Sequence, residues 1–272
     1  MNTLAIETGI EPEYENALIQ SAKDIGWAIE LVRHVPFAHV FEGASQALLQ
    51  NPNVWFHGDI TACKSAQAET AWQVHAPWEA LRCTNYYDIL YDRILNQDWS
   101  LTSIRGMKED QAWLYEKSGM AEDDTLLFRP DGNDKVFSGT LVSRPDFDQA
   151  YKLVTFFDPD PEEAVIAARP QVIKAEARFL VVGGKLITGS YYRTGGQVVR
   201  LEAPPSLMAI GQEMLMFCLA KGYDPAPSWV LDLAETPEGW RIIEVGASSC
   251  CGLYKCDTDA FMRALDALPS PM

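Results

Sequence analysis

Charge placed inside otherwise apolar strands is the pattern in this sequence best able to do chemistry. Asp232 sits in WVLDLAE and Glu244 in WRIIEVG, two segments joined by the turn-forming ETPEG. A carboxylate flanked by Val, Leu and Ile is costly to bury unless something neutralises it. Two of them on partner strands of one hairpin also repel each other. A hard divalent cation removes the conflict, because Mg²⁺ takes one or two protein carboxylates together with phosphate oxygens. The other reading has one or both acids facing solvent from an edge strand. Strand register decides between the two.

A second cluster is cationic. In IKAEARFLVV, alternation puts Glu176, Arg178 and Leu180 on one face. The Gly183-Gly184 turn then folds KLITGSYYR back, which can bring Arg193 to the same end as Arg178. Guanidinium pairs grip phosphate with forked hydrogen bonds; a cross-strand ion pair between Glu176 and an arginine is the alternative. The third piece is FRPDGNDKVFSG, residues 128–139, in which Arg129 ends a strand and Lys135 returns from an Asp-Gly-Asn-Asp turn. It reads either as a phosphate-covering loop with Lys135 as point charge or as a surface turn. It has neither P-loop nor dinucleotide-fingerprint spacing.

Other candidates carry less. Cys250, Cys251 and Cys256 lack the paired spacing of a zinc site and have no histidine nearby in sequence. His57-Gly58-Asp59 reads as a structural turn or as part of a substrate pocket. The Trp/Tyr-rich segment 72–99 lacks the basic interleaving of a nucleic-acid stacking platform and reads as core or as a wall lining an acceptor site.

The elements that must position these groups fall into two parts. Residues 11–33 have helical spacing, with Leu18, Ala22, Ile25, Ala28 and Val32 on one face. Residues 53–60 read as a short strand ending near Gly58, 72–99 as helix-rich, and 109–118 as a helix stopped by Gly119. From about residue 124 strands and hairpins dominate: TLLFRP, the Gly183-Gly184 hairpin and the hairpin around ETPEG. The helix LMAIGQEMLMFCLAKG closes at Gly222, and a last helix is capped by Asp257 or Thr258. Antiparallel hairpins alternating with helices indicate α+β. The expected division is an N-terminal region 1–122 and a C-terminal region 123–272.

The 272 residues carry a net charge of −16, from 22 Lys+Arg against 38 Asp+Glu. Such a surface repels nucleic-acid backbones and anionic lipid, so neither is expected as a partner. An anion such as ATP must be met by a local cluster of cations. The start lacks a basic stretch followed by a long apolar run, no membrane-length apolar segment occurs, and the six cysteines form no C-x-x-C pair. A cytoplasmic protein with reduced thiols is the expectation.

Taken in order, FRPDGNDKVFSG, VIAARPQVIKAEARFLVVGGKLITGSYYR and WVLDLAE…WRIIEVGASSCCGLYKCD resemble one clade of the ATP-grasp superfamily, named for two arginines and a lysine in its nucleotide site. The resemblance spans about residues 80–260. It implies a small α/β pre-domain followed by two α+β subdomains whose antiparallel sheets clamp ATP. It also implies that Lys135, Arg178 and Arg193 lie near the ATP phosphates, with Arg129 in the FRP signature beside them and Glu176 on the same strand. VIAARP matches the hinge, where backbone groups around Ala168 and Arg169 read the adenine edge. Asp232 and Glu244 match the Mg²⁺-binding acids. One departure stands out: Gly246 occupies the position where ATP-grasp proteins usually carry a metal-ligating Asn, with Ser248 or Ser249 as substitutes within reach in sequence.

The resemblance implies an ATP-dependent ligase that joins a carboxylate to an amine or similar nucleophile through an acyl phosphate. The acceptor class it implies is a peptide or protein, with a small molecule left open. The alternative is an ATP-binding assembly or chaperone-like factor without turnover, since the clade includes the eukaryotic cell-division-cycle factor that assembles a translation initiation complex.

Overall fold

The computed structural model describes residues 2–9, 12–38, 40–117 and 125–269. Contacts divide the chain into two compact units that are not continuous in sequence. One comprises 1–77, 175–233 and 244–272; the other comprises 78–174 and 234–243. The expected boundary at residue 122 and the expected helix stop at Gly119 lie outside the described residues.

The first unit opens with β1 (Thr3–Glu7), α1 (Pro12–Asp24), β2 (Ala28–Val35), β3 (Val40–Glu42), α2 (Gln46–Leu49), β4 (Val54–His57) and α3 (Ile60–Glu69). The strands form a sheet in the order β3-β2-β1-β4. β1 runs parallel to β2 and to β4, while β3 is antiparallel to β2. TLAIE is buried along its whole length, as befits a central parallel strand covered on both faces.

Two sequence expectations fail here. The helix expected over 11–33 ends at Asp24 among the described residues, and Ala28 to Val35 form β2. Gly26 adopts φ +82°, and the Gly26 and Trp27 N–H groups bond back to Lys23 and Ala22 carbonyls. This left-handed turn stops the helix, and Val32 and His34 then face inward with the period of a strand. The aromatic segment 72–99 is also poor in helix, with one four-residue helix, one 3-10 turn and otherwise irregular backbone before residue 99. Its rings fill core instead: Trp72, Tyr86 and Tyr87 are buried. Burial of the rings left no 3.6-residue pattern to read.

The second unit contains α4 (Cys83–Tyr86), β5 (Trp99–Ser103), α5 (Ile104–Glu109), α6 (Gln111–Lys117), β6 (Thr125–Pro130), β7 (Thr140–Ser143), α7 (Phe147–Val154) and β8 (Ala164–Ala168). The helix expected over 109–118 is α6, Gln111–Lys117, with α5 ending just before it at Glu109. The strands form an antiparallel sheet, β5-β8-β6-β7. Its core gathers Ile104, Met107, Leu114, Phe128, Phe147 and Val165.

The chain then returns to the first unit through β9 (Ala175–Val182), β10 (Lys185–Thr194), β11 (Gln197–Glu202), α8 (Pro205–Ala220), β12 (Ser228–Thr236), β13 (Gly239–Ala247) and α9 (Thr258–Asp266). These strands form a second sheet, β11-β10-β9-β12-β13. The hairpin tip, residues 234–243, belongs to the other unit. Gly183 and Gly184 have φ +56° and +68°, as the two-residue turn requires. Gly222, at φ +77°, follows the end of α8, and Asp257 caps α9 by accepting from the Ala260 N–H at 2.9 Å. One core cluster ties the two sheets of this unit together through Leu4, Ile6, Trp55, Leu180, Val230, Phe261 and Leu265.

Candidate functional site

The face shared by β9 and β10 is built by register. An uninterrupted hairpin about Gly183-Gly184, in which Val182 pairs with Lys185, would set Arg193 opposite Lys174. Instead the pairing slips at Ile187 and again at Tyr192, so that Arg193 lies opposite Glu176 and Ser190 opposite Arg178. One bulge would have turned Arg193 to the other face; two restore its side and draw it closer to Arg178. Arg193 Nε stands 3.4 Å from Glu176 Oε1. Glu176 is buried, whereas the Arg193 side chain is 48% exposed.

Arg178 is held more tightly. Its Nε donates to Asp232 Oδ1 at 2.9 Å and its Nη2 to Asp232 Oδ2 at 2.7 Å, a forked pair. Nη1 donates to the Gly252 carbonyl at 2.9 Å. Three of the five guanidinium N–H groups are thereby used. The guanidinium carbon lies 5.2 Å from the Tyr254 ring centre and 5.6 Å from that of Tyr192. These two rings stack with centroids 5.1 Å apart. Burial by itself would make Arg178 easier to deprotonate, but the Asp232 carboxylate outweighs it and holds the guanidinium above its ordinary pKa. Burial also pushes the Tyr192 phenol upward, reinforced by Asp232 and Glu176. The phenol is therefore neutral near pH 7 and can act as a hydrogen-bond donor.

Asp232 is buried in β12, a strand covered at every position except Glu235. Glu244 is half-buried on β13, its hydrogen-bonded neighbour strand. Gly246 follows two residues on. Ser248 and Ser249, the two hydroxyls considered as substitute ligands, are fully buried and engaged elsewhere. Ser248 Oγ is 2.7 Å from Ser228 Oγ and donates to the Ser228 carbonyl at 3.0 Å. Ser249 Oγ accepts from the His75 N–H at 2.8 Å.

The second unit holds the remaining expected residues. Arg129, on β6, donates to the Ile243 carbonyl at 3.1 Å. Ala168 ends β8, the strand between β5 and β6, and is buried, whereas Arg169 just beyond it is exposed. Lys135 is exposed in the loop after β6 and has φ +52°, a left-handed conformation that costs a non-glycine residue about 1–2 kcal/mol. The loop is anchored by its own start. Asp131 is 1% exposed, and it accepts from Arg82 Nε at 2.8 Å, the Thr84 N–H at 2.8 Å and Thr84 Oγ1 at 3.0 Å. Sequence reasoning missed Asp131 and its partner Arg82, as well as Tyr192, Tyr254 and the Gly252 carbonyl around Arg178. The Asp in RPDG, framed by the FRP strand end and by Gly132, was a signal that could have found the first. Nothing in the spacing announced the tyrosine stack.

Among the described residues no helix is long and apolar enough to cross a membrane. All six cysteines are free thiols.

Residues 60–265 match the model of an ATP-grasp domain, family 3 of the clade named for two arginines and a lysine. No curated protein sequence matches the chain. Several solved structures share its fold at low identity. D-cycloserine synthetase DcsG superimposes with a TM-score of 0.64 at 13% identity, covering 97% of this chain and 98% of that one. N5-carboxyaminoimidazole synthase from Aspergillus clavatus, in complex with ADP and 5-aminoimidazole ribonucleotide, gives 0.60 at 12% identity, covering 99% and 78%. The ATP-grasp ligase PsnB complexed with a minimal precursor gives 0.56 at 11%, covering 98% and 99%. These matches bear out the α+β, ATP-grasp fold expected from the motifs.

Proposed function

Because this chain belongs to family 3 of the two-arginine, one-lysine clade of ATP-grasp domains, we propose that it is a Mg-ATP-dependent ligase joining a carboxylate to an amine or similar nucleophile. The observation that carries the proposal is the β9–β10 face, where two arginines stand together, each braced by a buried acid. Arg178 keeps two of its five N–H groups for phosphate oxygens, while Asp232 and Gly252 fix its fork. Arg193, half in solvent, supplies the second fork. Lys135 supplies a point charge from its loop, and Arg129 a further one. Backbone groups at Ala168 and Arg169 read the adenine edge.

The acids fit a hard cation. Asp232 and Glu244 offer two carboxylates on neighbouring, hydrogen-bonded strands. When bound there, Mg²⁺ would neutralise charge on the terminal phosphates. Gly246 has no side-chain ligand atom and both serines are engaged elsewhere, so Asp232 and Glu244 would be the side chains that hold the ion. In the reaction an acceptor carboxylate oxygen attacks the γ-phosphorus and the bond to ADP breaks. An amine then attacks the acyl carbon, phosphate leaves, and the amine nitrogen loses its proton. The cations lower the barrier by meeting charge that spreads over the transferring phosphoryl group. A peptide or protein acceptor is supported by PsnB, whose solved complex holds a precursor. A cytoplasmic location is supported by the free thiols.

A second reading is an ATP-binding assembly factor without ligation, favoured by Gly246 together with the engaged Ser248 and Ser249. Incubation with Mg-ATP and candidate acceptors, or a lysate, separates the two. Acceptor-dependent ADP and a ligated product support the ligase; ATP binding with no acceptor-dependent ADP release overturns it.

A further inference from the structure

The N-terminal sheet carries another group of metal-binding residue types. From β1 the chain moves outward to β2 and β3, then returns to β4 on the opposite side of β1. The β1–β4 gap is therefore a topological switch point, where flanking loops diverge and open a crevice at the carboxyl ends of parallel strands. Glu7 is the last residue of β1, His34 lies one residue before the end of β2, and Asp59 follows β4 as the N-cap of α3. One ligand atom from each lies within 4.8 Å of the other two. Glu7 and His34 are buried and Asp59 is exposed, so the group is walled by protein and open to water on one side.

The geometry aims these side chains. Glu7 Oε2 accepts from the Asp59 N–H at 2.8 Å, and Asp59 Oδ1 accepts from the Ala62 N–H at 2.6 Å. Each carboxylate is thus held by a backbone N–H through one of its oxygens. The His34 ring packs on Phe41 with centroids 5.2 Å apart. At Gly58 a Cβ would come within 2.9 Å of Glu7 Oε2 and 2.6 Å of the Phe56 ring, so glycine lets the turn settle onto Glu7. Two carboxylates this close repel, and the positive charge of about half a unit at the N-terminus of α3 offsets only part of that.

We propose that Glu7, His34 and Asp59 form a binding site for a borderline divalent cation such as Zn²⁺, through one imidazole nitrogen and two carboxylate oxygens, with the Asp59 side open to water. A mixed nitrogen and oxygen set suits zinc over Mg²⁺, which prefers oxygen alone. Three protein ligands with an open position is also the pattern of zinc sites that hold water or a substrate group.

Chelator-treated, nucleotide-free protein is titrated with Zn²⁺ by equilibrium dialysis and with Co²⁺ by visible absorption. The expected result is one equivalent per chain, with cobalt d–d bands and no thiolate charge-transfer band. Glu7→Gln, His34→Gln and Asp59→Asn each weaken it by more than the roughly 10–100-fold that loss of an outer partner costs. Asp59→Asn retains a good helix cap, so its loss of binding is separable from unfolding, which circular dichroism monitors. Glu244→Gln leaves binding intact, separating this site from the nucleotide metal. Substoichiometric binding, a thiolate band, or wild-type affinity in Asp59→Asn and Glu7→Gln overturns the proposal.

Discussion

Asp232→Asn, in the absence of nucleotide and Mg²⁺, tests whether Asp232 is a structural partner of Arg178 as well as a candidate metal ligand. The Arg178 and Asp232 side chains are 13% and 4% exposed, so solvent screens the pair little and the near-zero worth of surface ion pairs does not apply. Removing one partner of a buried pair leaves an uncompensated charge and costs about 3–5 kcal/mol. In a chain of this size each kcal/mol shifts the melting temperature by about 2–4 °C, so Asp232→Asn is expected to melt about 6–20 °C lower in EDTA. Arg178→Met is expected to fall by a similar amount. The double variant Arg178→Met/Asp232→Asn removes both charges and should lose less than the sum of the two single changes. The assay is a denaturant series on all four proteins, read as a double-mutant cycle, with Mg-ATP titration of each folded variant. A loss below about 1 kcal/mol for Asp232→Asn, or strictly additive single effects, would refute the reasoning. Asp232 would then be a ligand in waiting rather than the brace of an arginine.

Lys135→Gly removes a charge and also a left-handed strain; we expect stability within about 1 kcal/mol of wild type but weaker ATP binding, as read by denaturant unfolding beside nucleotide titration. Gly211→Ala is expected to destabilise by about 1–3 kcal/mol in thermal unfolding, because its Cβ would meet the buried Phe179 ring at 2.6 Å. Burial lowers the His75 imidazole pKa from 6.5 to about 4. The unfolded chain therefore binds a proton below pH 6.5 that the folded chain refuses. Its contribution is present above pH 6.5 and is lost as pH falls from 6.5 towards 4, by about 3 kcal/mol in all. Comparison of denaturant midpoints at about pH 7 and about pH 4.5 should show a shallower loss for His75→Gln, and an equal loss in both proteins would discount the histidine.

Local chemistry made several elements legible in the sequence. The Gly183-Gly184 turn, the cap at Asp257 and the strand TLLFRP all follow from backbone preference, which acts within a few residues. Charge inside apolar strands likewise drew attention to Arg178, Asp232 and Glu244. The helix expected across Ala28 failed because apolar spacing is ambiguous when a glycine turn divides it, and only packing against β1 fixes the strand period. The aromatic segment failed because rings that fill a core need no helical repeat.

Sequence alone thus determined the composition of the cationic face and the acids near it, because residue type sets charge and hydrogen-bonding capacity. The tertiary structure decided the partnerships. Two register slips put Arg193 opposite Glu176, and adjacency of β9 and β12 gave Asp232 to Arg178. The crossing from β1 to β4 brought Glu7 and Asp59 together from 52 residues apart. A one-residue slip changes which groups meet without changing any group's chemistry, so such pairings exist only once the strands are packed.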